Sequence, residues 1–266
     1  MTQPTAPEAP LEAKVLDWLT TTGFPLEMEA ASAFRGAGFD VRQSSTYADP
    51  QTDKGREIDV LATDPDWLGL VEIAFVLECK SSSKPWVVLT SDDALAGYNR
   101  LFAFGLLSGA ARREIADRLL DLGGMKQLLE RPDRGGYGFR QALAKESDPA
   151  YTAAMGALKA CHDLAQDRVN STIPKLAFAF PVIVVDSSLF ECSLGTNGEL
   201  ALKEVQFSEF LFSAYIPTSV GCCVKVVTRQ YLTAFAAEAK QLADAIRTEF
   251  RDLEPKYFPS LNATNG

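Results

Sequence analysis

Two stretches decide the fold: Glu57-Ile-Asp-Val-Leu-Ala62 and Phe75-Val-Leu-Glu-Cys-Lys80. Both are short and apolar, and both are interrupted by charge at alternate positions, the pattern of β-strands with one covered face. Side chains alternate across a strand, so Glu78 and Lys80 project from the same face, roughly 6 to 7 Å apart at Cα. Asp59 lies on the preceding strand, joined to the next by the turn Asp64-Pro-Asp66, and such partners can stand side by side. Two acids and a lysine are thus expected to converge at the end of an apolar sheet. Burying two carboxylates together costs several kcal/mol unless positive charge offsets them. Lys80 and a divalent cation would supply it.

Outward from these strands, the spacing of Leu11, Val15, Trp18 and Leu19 predicts a helix over Pro10–Thr21. A second helix is expected from Pro25, suited to a first turn, to Gly38, suited to a C-terminal cap. Phe39–Gln43 reads as a short strand and Tyr47–Gly55 as a loop. The strands are expected to span Glu57–Thr63 and Leu70–Lys80, with Lys84–Leu89 continuing or re-entering the sheet. Residues 92–172 carry mainly helical periodicity, interrupted by the Gly- and Arg-rich Arg131–Arg140, and read as a helical insertion. Strands return at Phe178–Asp186, Leu189–Ser193, Leu200–Gln206 and Cys222–Thr228, with Asn197-Gly198 as a hairpin turn. A last helix covers Tyr231–Phe250. The expected organisation is a tail at 1–10, a core from 11–91 and 173–252, the insertion between them, and a tail at 253–266. The class is α/β: a mixed sheet flanked by helices.

Carboxylates without His or Cys suit hard cations such as Mg²⁺ or Mn²⁺, which keep waters and bind phosphate oxygens. An ion on Asp59 and Glu78 would polarise a phosphodiester and acidify a bound water. Lys80 would orient that water or stabilise charge developing at phosphorus.

Asp59, then Glu78-Cys79-Lys80 on the next strand, behind a helix bearing Glu27, resembles the PD-(D/E)xK nuclease superfamily. Its restriction-endonuclease-like αβββαβ core runs in the order read above. The resemblance is best from Glu27 to about Leu89 and looser beyond. It implies metal ligation by Asp59, Glu78 and the backbone of Cys79, and catalytic roles for Glu27, Asp59, Glu78 and Lys80. Glu27-Met-Glu-Ala-Ala-Ser-Ala-Phe-Arg-Gly-Ala-Gly38-Phe39 looks like the first helix of the resolvase-like and type IV restriction branches; Glu29 competes with Glu27 for the helix role. Ile58 stands where the family often has Pro. The implied activity is Mg²⁺- or Mn²⁺-dependent cleavage of DNA, in restriction, repair or phage defence, with a homodimer as one arrangement. The other function held open is a nuclease-like scaffold that binds a protein or nucleic acid without cutting.

Composition sets limits. The chain has 266 residues, 47% hydrophobic, with 16 Phe, enough to bury a core. Its net charge of −9 is the wrong sign for coating DNA unspecifically. Only residues 101–175 lean basic, at a net +2, through Arg112, Arg113, Arg118, Lys126, Arg131, Arg134 and Arg140. Phosphate contacts are expected there, although an ordinary solvated helix surface explains these charges better. Cys79, Cys161, Cys192, Cys222 and Cys223 have no CxxC spacing, so neither disulfides nor zinc are expected, and a reducing cytoplasm is the simplest setting. No secretory signal is expected, and the longest apolar run, Phe178–Val185, is too short to span a bilayer. His162 is the only histidine and reads as an ordinary helix residue; no GxSxG or P-loop pattern is present. Trp86 reads as core.

Overall fold

Around a central parallel pair of strands the chain builds one mixed sheet with helices on both faces. The computed structural model describes residues 10–95, 103–118, 134–144, 149–167, 173–216 and 218–258. The helices are α1 (Leu11–Thr20), α2 (Phe24–Gly36), α3 (Gly109–Asp117), α4 (Pro149–Leu164), α5 (Leu232–Glu249) and the short α6 (Glu254–Tyr257). The first strands are β1 (Asp40–Ala48), β2 (Gly55–Asp64), β3 (Val71–Lys80), β4 (Trp86–Ser91), β5 (Leu106–Leu107) and β6 (Gly135–Gln141). Then come β7 (Leu176–Val185), β8 (Leu189–Leu194), β9 (Leu200–Val205), β10 (Phe207–Tyr215) and β11 (Ser219–Thr228).

Strands β3 and β7 run parallel in an unbroken register from Val71↔Leu176 to Lys80↔Val185. Every residue of β7 is buried, as expected of a central strand covered on both faces. On one face lie α2 and α5, whose Leu26, Ala30, Phe34, Phe235 and Ala236 pack on Val60, Phe75 and Leu77. Phe34 stands among the rings of Phe39, Phe75 and Phe235, with centroids 5.2 to 6.1 Å away. On the other face α4 sets Ala157, Leu158 and Cys161 against Val76, Ala179 and Cys222. Gly38, at φ 96°, ends α2 as its sequence predicts: the Phe39 N–H donates to Phe34 O at 3.1 Å.

Among the described residues the strand order is β1-β2-β3-β7-β11-β10-β6-β4-β8-β9, with β5 pairing β7 off this path. That order cannot be flat. Only Asp186, Ser187 and Ser188 separate β7 from β8, yet the two lie five places apart. Five sheet steps span about 24 Å, whereas this connection reaches about 14 Å at most. Strands β3 and β4, joined by residues 81–85, are likewise five places apart, and β9 and β10, joined by Gln206 alone, are four apart. The sheet therefore turns a corner that these three short connections cross, and the parallel pair β3/β7 continues beyond it as the parallel pair β4/β8. Asp186 stitches the corner, accepting from Ser81 Oγ and from the Ser82 N–H at 2.8 Å. The Trp86 N–H donates to Ser188 O at 2.9 Å. Inside the fold, Trp86, Phe139, Leu189, Ile183, Phe210 and Val224 close a core over Ala150, Ala153 and Ala154 of α4.

The stretch 92–172 is not the purely helical insertion its periodicity suggests. Its described part holds β5 and β6 as well as α3 and α4, and β6 pairs β4 in the sheet. Gly135-Gly-Tyr-Gly138 reads as an interruption because glycine weakens any periodicity, but here it serves close approach. A Cβ on Gly136 would stand 2.4 Å from Glu209 O, where β6 meets β10. Strand β10 was not expected, since no turn residue separates it from β9. Strand β1 also continues to Ala48, into the expected loop. Residues 251–257 form short helical turns that run from the end of the expected core into the expected tail, and residues 1–9 and 259–266 lie outside the described residues. Among the described residues no helix is long and apolar enough to cross a membrane.

Candidate metal and catalytic site

The β2–β3 ladder runs from Asp64↔Ile73 to Val60↔Leu77 and then stops. One residue further, Asp59 replaces a main-chain acceptor with its side chain: Oδ2 accepts the Cys79 N–H at 2.8 Å. Across β1 the pairing passes from Gln43↔Val60 to Ser45↔Ile58 over Ser44, which sits at φ 53°. A left-handed serine is uncommon, and it interrupts the β1–β2 pairing opposite Asp59, where the β2–β3 ladder also ends.

Glu78 and Lys80 leave the same face of β3, as alternation requires, and Lys80 Nζ donates to Glu78 Oε1 at 2.7 Å. Both side chains are largely covered, at 17% and 27% exposure. Helix α4 covers them. A Cβ on Gly156 would meet Glu78 Oε2 at 3.4 Å, an ordinary contact distance, so the carboxylate lies close against this turn of the helix. Between the pair, Cys79 turns its side chain into the core under α2 and α5. Burial and the surrounding carboxylates push its thiol well above the ordinary value, so only its main chain serves the site.

Glu27 stands in the first turn of α2, where the helix dipole favours an acid. It approaches the cluster from the sheet's other face, electrostatically coupled to Asp59, Glu57 and Lys80. Glu29, its competitor, points elsewhere: Arg229 binds it through Nε at 2.6 Å and through a second nitrogen. The structure thus brings Asp59, Glu78 and Lys80 together at the end of β3, with Glu27 at the margin.

The protonation energetics follow from crowding. Burial raises the Glu78 carboxyl above its ordinary range and Asp59 adds to this, while Lys80 opposes. Burial also raises Asp59, against the Cys79 N–H and Lys80, which favour its charge. Glu27 is raised by burial first, then by Asp59 and Glu57. For Lys80 burial favours the neutral amine, but the charge and hydrogen bond of Glu78 outweigh it and the net shift is upward. The cluster carries more acidic groups than one ammonium offsets. Asp59 and Glu78 are oxygen donors of the kind that suit a hard divalent cation. As they stand, the side chains are not gathered round an ion: among the described residues no three of His, Cys, Asp or Glu lie close enough to ligate one together.

No family model matches this chain, and no match was found among curated proteins or solved structures.

Sequence reasoning missed three neighbours. Gly156 could not be found from periodicity, because its closeness to Glu78 depends on how α4 packs on β3. Tyr47 is buried on the α4 face, its hydroxyl pushed up to about 12 by burial, Asp49 and Glu78. Lys159 of α4 reaches Asp49 at 2.9 and 3.0 Å in a covered ion pair that fixes α4 beside β1. His162 lies about 9 Å further along α4 than Gly156, where it lines a cleft of about 510 Å³ with Arg112 and Gln166. Of the arginines expected to meet phosphate, Arg118 is tied to Asp252 and Arg134 to Asp92. Lys126 and Arg131 lie outside the described residues.

Proposed function

We propose that this chain is a divalent-metal-dependent phosphodiesterase that cuts DNA, with Asp59 and Glu78 as metal ligands, Lys80 as the group facing the attacking water, and Glu27 as an auxiliary acid. One observation carries the proposal: Asp59, Glu78 and Lys80 converge at the end of β3, beside α4 at Gly156. The element order supports it. Helix α2, strands β1, β2 and β3, helix α4 and strand β7 come in the order of the αβββαβ core, with β4, β5, α3 and β6 inserted between β3 and α4, and β7 lies parallel beside β3. Mg²⁺ or Mn²⁺ on the two carboxylates would supply Lewis acidity and a water of lowered pKa. The chain's own part is to set the acids side by side, to orient water through the Lys80 ammonium, and to keep the Asp59 carboxylate fixed by the Cys79 N–H.

The test is cleavage of plasmid, linear and branched DNA with Mg²⁺ or Mn²⁺ by the purified protein. Asp59→Ala and Lys80→Ala are each expected to lower the rate by roughly a hundredfold or more. Cleavage surviving both substitutions rules this site out.

A second reading is a non-cutting scaffold. Two observations favour it: the net charge of −9, and the Glu78–Lys80 ion pair standing where an ion would be held. Calorimetry separates the two, because the enzyme requires a divalent ion whose binding disappears in Asp59→Asn.

A further inference from the structure

The carboxylate that must give up an oxygen to an incoming ion already holds a cation. Lys80 Nζ is 2.7 Å from Glu78 Oε1, with both groups mostly covered by protein. The other oxygen, Oε2, lies toward α4, 3.4 Å from where a Cβ on Gly156 would stand. Asp59 is equally committed, its Oδ2 anchored on the Cys79 N–H. Asp59 also adds its charge to the pocket that Lys80 offsets.

We propose that Lys80 is an internal counter-ion that holds the site closed to metal: a divalent ion enters by displacing the ammonium from Glu78 Oε1, and the displaced ammonium is thereby delivered to the water and phosphate side. This rests on the metal-dependent reading above and adds its regulation. Metal binding is then an exchange of one cation for another. It is weak without substrate, and a phosphate group strengthens it by offering the freed ammonium a new partner. The same side chain that completes the catalytic set therefore lowers the affinity of the free protein for its ion. No bond is made or broken in the exchange, and the lysine keeps its proton throughout.

Titration calorimetry with Mn²⁺ on the full chain tests this, without nucleic acid and at fixed ionic strength. Lys80→Met removes the ammonium at similar length, and Lys80→Gln removes the charge while keeping a donor. A melting curve without metal shows whether each variant is folded. Both are expected to bind Mn²⁺ roughly tenfold more tightly than the wild type, as removal of a like charge a few ångströms from the ion requires. Binding in the variants with none measurable in the wild type supports the same conclusion. Equal or weaker binding in folded variants overturns the counter-ion role and leaves metal ligation by Asp59 and Glu78 standing. Absence of binding in the wild type and in both variants overturns the metal reading itself, and this proposal with it.

Discussion

At the scale of single residues, the candidate site is a concentration of like charge maintained against burial. Asp59 shows the consequence most simply, because its folded-state pKa lies above its unfolded value. A carboxyl shifted in this direction stabilises the fold while it is protonated, below its unfolded pKa, and that contribution is lost as pH rises through the folded pKa. Asp59→Asn keeps an oxygen for the Cys79 N–H and removes the charge. Without metal, this variant is expected to melt above the wild type at pH 7.5. The gap should close as pH falls below about 4, where aspartate is neutral in either state. Thermal melts across that range check it, and a variant that melts lower throughout would contradict the electrostatic account. Asp59, Glu78 and Lys80 were legible in the sequence because strand alternation fixes faces without knowledge of the fold. Glu27 and Glu29 were not separable in that way. Only Arg229, two hundred residues away, shows which of them is engaged elsewhere.

At the scale of elements, α4 carries a glycine where helix propensity disfavours one. Glycine inside a helix costs about 1 kcal/mol relative to alanine. Gly156 sits mid-helix, and a Cβ there would stand 3.4 Å from Glu78 Oε2, an ordinary contact distance. Gly156→Ala is expected to raise the melting temperature of the metal-free protein and to leave Mn²⁺ binding nearly unchanged, since the new methyl fits beside the carboxylate. Melting and calorimetry on one sample check both halves; a several-fold loss of binding would show that the carboxylate needs the space the glycine leaves. The strands β2, β3, β7 and β8 were readable from apolar content and turn residues. Strand β6 was not, because glycines chosen for close contact with β10 erase the apolar signal. Strand β10 was hidden for another reason. Nothing in Val205-Gln-Phe207 marks a boundary, since the chain bends there without a turn.

At the scale of the whole molecule, the two sides of the corner share strands and do not fold as separate units. The cores beneath α2, beneath α4 and beyond the corner all draw on β7 or its neighbours. A single cooperative unfolding transition is expected, identical by far-ultraviolet and tryptophan signals, because Trp86 lies beyond the corner. Asp186→Ala strips Ser81 and the Ser82 N–H of their acceptor. It should lower stability by about 1–3 kcal/mol in denaturant titrations without splitting the transition in two. Separate transitions would show the layers to be independent. The flanked mixed sheet was legible as a class, whereas its folding back was not: a corner depends on strand order, and strand order is set by contacts far apart in sequence.

Lys80 is the last residue of β3, and the first crossing begins at the very next peptide bond. Asp186, directly after β7, holds the two residues that follow Lys80 and opens the connection to β8. The end of β3 that carries the ammonium is thus anchored by the same side chain from which the outer hairpin departs.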